Sequence, residues 1–439
     1  MDSSSQEREG KKKITEVKTF PVPFSLIENQ ENFTINTNNP TQPSKEQIIN
    51  QAFKFHAQGN ISEAVKYYQY FINQGFKDHR VFSNYGTILK NLGKLQEAEL
   101  LQRNAIELKS DYAEAHSSLG VILVKYRKLE EAEKSLHKAL QLNPQNESIK
   151  HNLINLLTIY KPKKTDSNSL YMINEEFKDV NLFYKENSLI TDDEAIRIYK
   201  DGLQIYKKHN LDLDINISQI YKRNEVNLNC KRHKLVFNQH KIIPEFCFGC
   251  YKVQVEVDSI IELIKLFLVF NQLKLKNNNT RKSIIELRPN ISGFYKGLIY
   301  CLSLTEALEI SKTLNFHTQN NIRIDLMSKV KRGCSEYPLE FPQYKEIRIS
   351  GDQPMNYNED WKIIEKEIDK GNKDWGKSSK SIEGFNLNDF LVMRNWIAYA
   401  QKINDDSVTK ITNEQIEGPK SFKHLNRDFH SKQTSKTKI

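Results

Sequence analysis

No G-x-G occurs anywhere in the 439 residues, although sixteen glycines are present. That excludes the dinucleotide fingerprint and the usual glycine-rich methyl-donor loop, both of which need backbone close to a cofactor. Neither G-x-S-x-G nor H-E-x-x-H is found, which removes the hydrolase elbow and the zinc-protease helix. One phosphate-loop spelling does exist, Gly371-Asn-Lys-Asp-Trp-Gly376-Lys377-Ser378. It follows a polar helical stretch, and Trp375 stands where a slim residue must let N–H groups reach phosphate, so it reads as a chance match. The chain also lacks a long apolar run. The longest, Ile260 to Phe270, is interrupted by Glu262 and Lys265 and is too short to span a bilayer. No charged-then-apolar leader opens it. A soluble, cytoplasmic protein without membrane contact is expected. Carboxylates are scattered with no pair placed across a cleft, so no catalytic residue is assigned.

What is present is a period. Ala64, Ala98 and Ala132 lie 34 residues apart, and so do Ala52, Gly86 and Gly120. A small residue is needed wherever two helices cross closely. Other columns follow: Gln51, Tyr85 and Leu119; Phe55, Leu89 and Leu123; Phe71, Ala105 and Ala139. Gly59 and Gly93 sit where a helix must end in a left-handed residue, and Arg127 breaks that column. The pattern resembles the tetratricopeptide repeat (TPR) family, whose period is 34. The resemblance predicts a helical solenoid over 45–160, with repeats 45–78, 79–112 and 113–146. Ile149, Leu153, Leu156 and Tyr160 predict a capping helix over 147–160 that covers the last apolar face.

The resemblance implies a protein-interaction adaptor that holds a peptide in its concave groove. On that reading Ile49, Phe53, His56, Ser83, Thr87, Lys90, Ser117, Val121 and Val124 line the groove. Members that grip a C-terminal carboxylate use a Lys/Asn/Arg clamp. Ile49, Phe53, Thr87, Ser117 and Val121 do not match it, which argues against a chaperone-tail ligand. The family is also often fused to transferase domains, so a TPR-fused enzyme is the alternative class.

Residues 1–44 are rich in polar types and are expected to be disordered. Lys161–Leu170 opens a hinge, with a linker over 161–185. Thr191-Asp-Asp-Glu194 predicts a capped helix to about Lys208. All five cysteines lie beyond the repeats. Cys230 and His233 form C-x-x-H, and Cys247 and Cys250 form C-x-x-C, a spacing that suits a structural zinc ion held in knuckle-like turns. His240 is an alternative fourth ligand. A redox pair, an iron–sulfur cluster drawing in Cys301 or Cys334, and buried free thiols are the competing readings.

Strand, helix, strand, strand, helix, strand are then expected at Lys252–Val257, 260–273, Ser283–Leu287, Gly297–Leu302, Thr305–Leu314 and Ile322–Met327. This βαββαβ order predicts a ferredoxin-like α+β domain within a zinc-stabilised unit over 186–345. Helices follow over 346–415, with Trp396 and Tyr399 buried, and then a basic tail over 416–439. The net charge is +10. One basic cluster is Lys222, Arg223, Lys231, Arg232, Lys234 and Lys241. Such a cluster attracts nucleic acid. Lys296-Gly297-Leu298-Ile299-Tyr300 resembles the third strand of the RNA recognition motif, but Leu298 stands where that family has an aromatic ring. RNA binding is therefore kept as an alternative.

Overall fold

The computed structural model describes residues 43–163, 168–288, 291–371 and 378–424. Residues 372–377 of the phosphate-loop spelling, most of the N-terminal segment and the end of the basic tail lie outside the described residues. Six helices form three hairpins: α1 (Lys45–Ala57), α2 (Ile61–Asn73), α3 (His79–Leu92), α4 (Leu95–Leu108), α5 (Ala113–Lys125) and α6 (Leu129–Leu142). α7 (Glu147–Leu157) packs on the last of them. Ser44 opens α1 with a reciprocal capping box to Gln47, so two otherwise unbonded N–H groups are satisfied at once.

The small-residue columns are explained by contact. A Cβ on Gly86 would stand 2.8 Å from Gln102 Nε2 and 3.2 Å from the Ala98 carbonyl, and one on Gly120 would stand 2.6 Å from Leu136 Cγ. Gly93 ends α3 at φ 87°, and Arg127 adopts φ 59° at the matching place. That conformation strains a side-chain-bearing residue. The turn is closed by Arg127 N–H to the Val124 carbonyl and Lys128 N–H to the Leu123 carbonyl, and the Arg127 side chain pairs with Glu225 at 2.8 Å.

The expected hinge contains a further helix, α8 (Ser169–Lys178), whose Leu170, Tyr171, Ile173 and Phe177 are buried. α9 (Asp192–Lys208) follows, opened by the Thr191–Glu194 capping box. β1 (Gln219–Lys222), α10 (Cys230–His240) and the short α11 (Glu245–Gly249) lead to β2 (Tyr251–Val257). Next come α12 (Ile260–Gln272), β3 (Arg281–Ile285), β4 (Tyr295–Cys301), α13 (Leu304–Asn321) and β5 (Ser328–Arg332). α14 (Trp361–Gly371) and α15 (Leu387–Lys402) complete the described α-helices.

The five strands form one antiparallel sheet in the order β1-β3-β4-β2-β5. The last strand falls at 328–332; the expected strand at Ile322–Met327 is the turn before it. β1 lies outside the expected order. It adds an edge strand through the pairs Gln219↔Ile284 to Lys222↔Arg281.

α12 lies at the centre of this half. Its residues from Ile260 to Phe270 are all buried except Glu262, and its one buried charge, Lys265, reaches Asp192 at 2.8 Å. A helix apolar on every side must be covered on every side. The sheet covers one side, and α9 and α15 pack on others. Gly297 permits the close approach of β4, since a Cβ there would meet Leu266 at 2.6 Å and Phe270 at 2.7 Å. Arg281 is buried and donates to the carbonyls of Phe270 and Leu273, both at 2.7 Å. Those are unpaired C-terminal carbonyls of α12, so the guanidinium caps the helix from the neighbouring strand.

Trp396 and Tyr399 are fully buried on α15, and Phe422 stacks edge-on against Tyr399 at 6.0 Å. One apolar cluster runs from Leu119 and Leu136 of the third hairpin through α7, α8, α12 and α15 to Phe422. The first two hairpins hold a separate cluster. The helical segment over 346–415 is thus no appendage of the sheet, because α15 supplies much of its core.

Candidate functional site

The concave side of the solenoid is built by α1, α3 and α5. Of the expected groove residues, Phe53, Thr87, Lys90, Val121 and Val124 keep partly exposed side chains. Phe53 lies 6.2 Å from the Tyr68 ring, with Arg80 over its face at 5.5 Å. Thr87 Oγ1 is 3.3 Å from Ser118 Oγ. The others serve the solenoid itself. Ile49 is buried, His56 Nδ1 is hydrogen-bonded to Tyr68 at 2.9 Å, and buried Ser83 offers its carbonyl to Gln102. Ser117 accepts from Asn152 at 3.0 Å. Facing direction alone does not tell a groove residue from a hairpin contact.

The expected metal pairs sit on helices. Cys230 starts α10 and Cys247 lies inside α11. His233 is buried against the Phe246 ring at 5.3 Å, beside Arg232 and Glu365. Cys247 Sγ instead lies 3.2 Å from the Tyr337 hydroxyl and within hydrogen-bonding reach of Cys334, while Cys250 packs against Gly333. Among the described residues, no group of three or more His, Cys, Asp or Glu side chains is disposed to hold a metal ion. Burial pushes the Cys230 thiol up to about 11 and those of Cys250 and Cys301 up to about 12.

His233 carries a clear pH signature. Burial, then Arg232, lowers it from 6.5 to about 4. The unfolded chain takes up this proton below about 6.5 and the folded chain resists until about 4, so the unfolded state gains as pH falls through that window. His233→Gln should therefore lose about 3 kcal/mol less than wild type across it, read from urea midpoints at stepped pH. An unchanged acid profile would contradict the neutral, caged imidazole.

The basic cluster is divided by the fold. Lys222 pairs with Asp389 at 2.6 Å, Arg232 with Glu365 at 2.9 Å and Asp369 at 2.8 Å, and Lys241 with Glu340 at 3.5 Å. Arg223 and Lys231 are left on the side facing the solenoid, where they lie in electrostatic range of Lys125 and, for Lys231, of Lys90.

On the sheet face turned away from α12, Tyr221 stands opposite Lys282, and Lys282 opposite Leu298. Tyr300 hydrogen-bonds Tyr221, and Lys282 lies 5.4 Å from the centroids of both rings. A cavity of about 580 Å³ adjoins Tyr300, lined in part by Asn224, Asn277, Asn278, Asn279 and Thr280. The expectation at Tyr300 concerns one strand. Its partner Tyr221 lies on the unexpected strand β1, and Lys282 lies one residue before the start expected for β3.

Residues 79–112 and 113–146 each match the tetratricopeptide repeat family and are TPR repeats. Solved structures that resemble the chain include the Arabidopsis OM64 TPR domain (20% identity, 26% of this chain and 93% of that one, TM-score 0.24). A second is the second TPR domain of human RPAP3 in complex with the HSP70 peptide SGPTIEEVD (24%, 25% and 91%, TM-score 0.23). A third is a mutant of the Thermobaculum terrenum O-GlcNAc transferase (18%, 34% and 29%, TM-score 0.27). A comparison with curated proteins returns no match. Among the described residues no helix is long and apolar enough to cross a membrane.

Proposed function

We propose that the chain is a protein-interaction adaptor whose TPR groove holds an extended or helical peptide. The observation that carries this reading is the row Phe53, Thr87, Lys90 and Val121. These side chains stay partly exposed on successive hairpins, while Ile49, His56, Ser83 and Ser117 beside them are buried. An apolar ring at one end and an aliphatic side chain at the other suit a ligand with apolar anchors about two repeats apart. Phe53→Glu and Val121→Glu should each reduce partner capture by about tenfold or more while helical circular dichroism stays unchanged. Capture equal to wild type by both folded variants would remove the groove assignment.

For the second half, the order β3-β4-β2-β5 with α12 and α13 packed on one face supports the ferredoxin-like plan, with β1 as an added edge. A structural zinc ion is a separate proposal resting on residue spacing alone, and it would require His233 to leave its buried cage. His233→Gln also tests it. If His233 is a ligand, purified wild-type protein carries about one equivalent of zinc and the variant sheds it. Metal-free, fully folded wild-type protein would remove that proposal.

A further inference from the structure

The solenoid and the second half meet with the same charge. Lys90 on α3 and Lys125 on α5 project from the concave side toward Arg223, just past β1, and Lys231, in the first turn of α10. The contact is held nearby by Arg127 and Glu225 and by backbone bonds from Ser381 to Arg223 and from Ile382 to Thr158. Among the described residues no carboxylate pairs with Lys90, Lys125, Arg223, Lys231 or Lys282. Glu225 is engaged by Arg127, and Glu336 lies in electrostatic range of Lys282.

Like charges gathered this closely oppose the fold that gathers them. Arg223 and Lys231 keep accessible side chains, yet protein on both sides of the cleft displaces water around them. Burial pushes Lys90 and Lys282 each down to about 8, and neighbouring cations add to the shift. An anion lying between them would relieve both effects.

The strip continues onto the sheet face turned away from α12, where Tyr221, Lys282 and Tyr300 are half-buried. Arg223 lies 5.0 Å from the Tyr221 ring centroid, and Lys282 bridges Tyr221 to Tyr300. Tyr300 then borders the cavity, where the Asn side chains stand beside Glu225, Glu306, Lys276 and Lys380. Cations, ring faces and side-chain amides thus follow one another along a single path. A cation strip alone would suit acidic peptides equally well. The rings and the amide pocket at its end favour a ligand that alternates phosphates with flat, hydrogen-bonding groups.

We propose that this cleft binds single-stranded nucleic acid, with phosphates along Lys90, Lys125, Arg223, Lys231 and Lys282 and a base in the pocket beside Tyr300. The site goes beyond the peptide-binding reading, because it uses the side of the groove facing the second half and does not need Phe53 or Val121.

The test is fluorescence anisotropy of the full chain with labelled single-stranded RNA of about a dozen nucleotides, run as a salt series. Lys90→Ala/Lys231→Ala should weaken binding by about tenfold or more and make the salt dependence shallower by about 0.7 per lost phosphate contact. Lys134→Ala/Lys138→Ala, which removes the same charge from α6, should leave affinity within about twofold. Lys231→Gln, exposed at the start of α10, supplies the measurement if the double variant misfolds. Equal loss in both double variants would overturn the proposal, since binding would then follow net charge. Tighter binding of a poly-glutamate peptide of matched charge would also overturn it and give the cleft to acidic peptides. Phe53→Glu should leave RNA affinity unchanged, so the two functional readings fail separately.

Discussion

Replacing Lys222 with methionine is expected to destabilise the protein by about 3–5 kcal/mol, the cost of stranding a buried charge. Lys222 Nζ donates to Asp389 Oδ2 at 2.6 Å and to the Gly384 carbonyl at 2.9 Å. The Asp389 side chain is only 3% exposed, so water cannot take over the missing partner. Desolvation already raises Asp389 above the ordinary carboxylate value even with Lys222 in place. The loss should therefore shrink as pH falls and the carboxyl takes a proton. Lys222→Met/Asp389→Leu should recover most of the lost stability, because two apolar groups leave no charge unpaired. Urea unfolding of the three proteins at neutral and mildly acidic pH decides the matter. A single variant as stable as wild type would mean that Asp389 finds another cation.

The second large effect concerns the join between the halves. Separate fragments 1–163 and 168–439 are expected to fail as independent folds. The cut removes Leu153, Ile154, Leu156 and Leu157 of α7 from a cluster in which each is at most 1% exposed. Burying such a side chain contributes about 1.5–3 kcal/mol, so the four together are worth at most roughly 6–12 kcal/mol. That is comparable to the whole stability of an ordinary domain. The C-terminal fragment should bind a hydrophobic dye and aggregate, and mixing it with the N-terminal fragment should restore a native-like melt. A monomeric, cooperatively folding 168–439 would show that α8 and α15 close the core without the solenoid.

These expectations mark where sequence reading succeeds and where it stops. The repeat is legible because contact between neighbouring hairpins is local, and a fixed period places Gly86 and Gly120 against known partners. The order of β2 to β5 is legible because alternation along Tyr251–Val257 and the apolar run of α12 are also local signals. β1 is not, because Gln219–Lys222 gains strand character only by pairing with Arg281–Ile284. The region after Pro162 reads as a hinge because its polar residues are plain in sequence, whereas the rings that Phe177 of α8 meets, Phe385 and Phe390, lie more than 200 residues away.

The cysteine spacing leaves more than one reading open for a related reason. A two-residue gap fits a metal turn and a helical turn alike, and Cys230 and His233 take the helical form. Cys334 approaches Cys247 only after β5 crosses beside β2, at a separation no motif records. The cation cleft is further still from local reading, since Lys90, Lys125, Arg223 and Lys231 come from two halves that meet only in three dimensions.

The way the third hairpin shares its apolar side with α7 and α15 also sets the direction in which the array can change in length. Most helical repeats end in a surface that accepts another copy. Here Leu119, Leu123 and Leu136 already belong to the core of the following half, so a unit inserted after residue 146 would have to tear that core open. A unit added before Ser44 would meet, among the described residues, only the first hairpin. Lineages carrying this architecture should vary in repeat number at the front of the solenoid and keep the last repeat fixed, as a ladder bolted at one end can be lengthened only at the other.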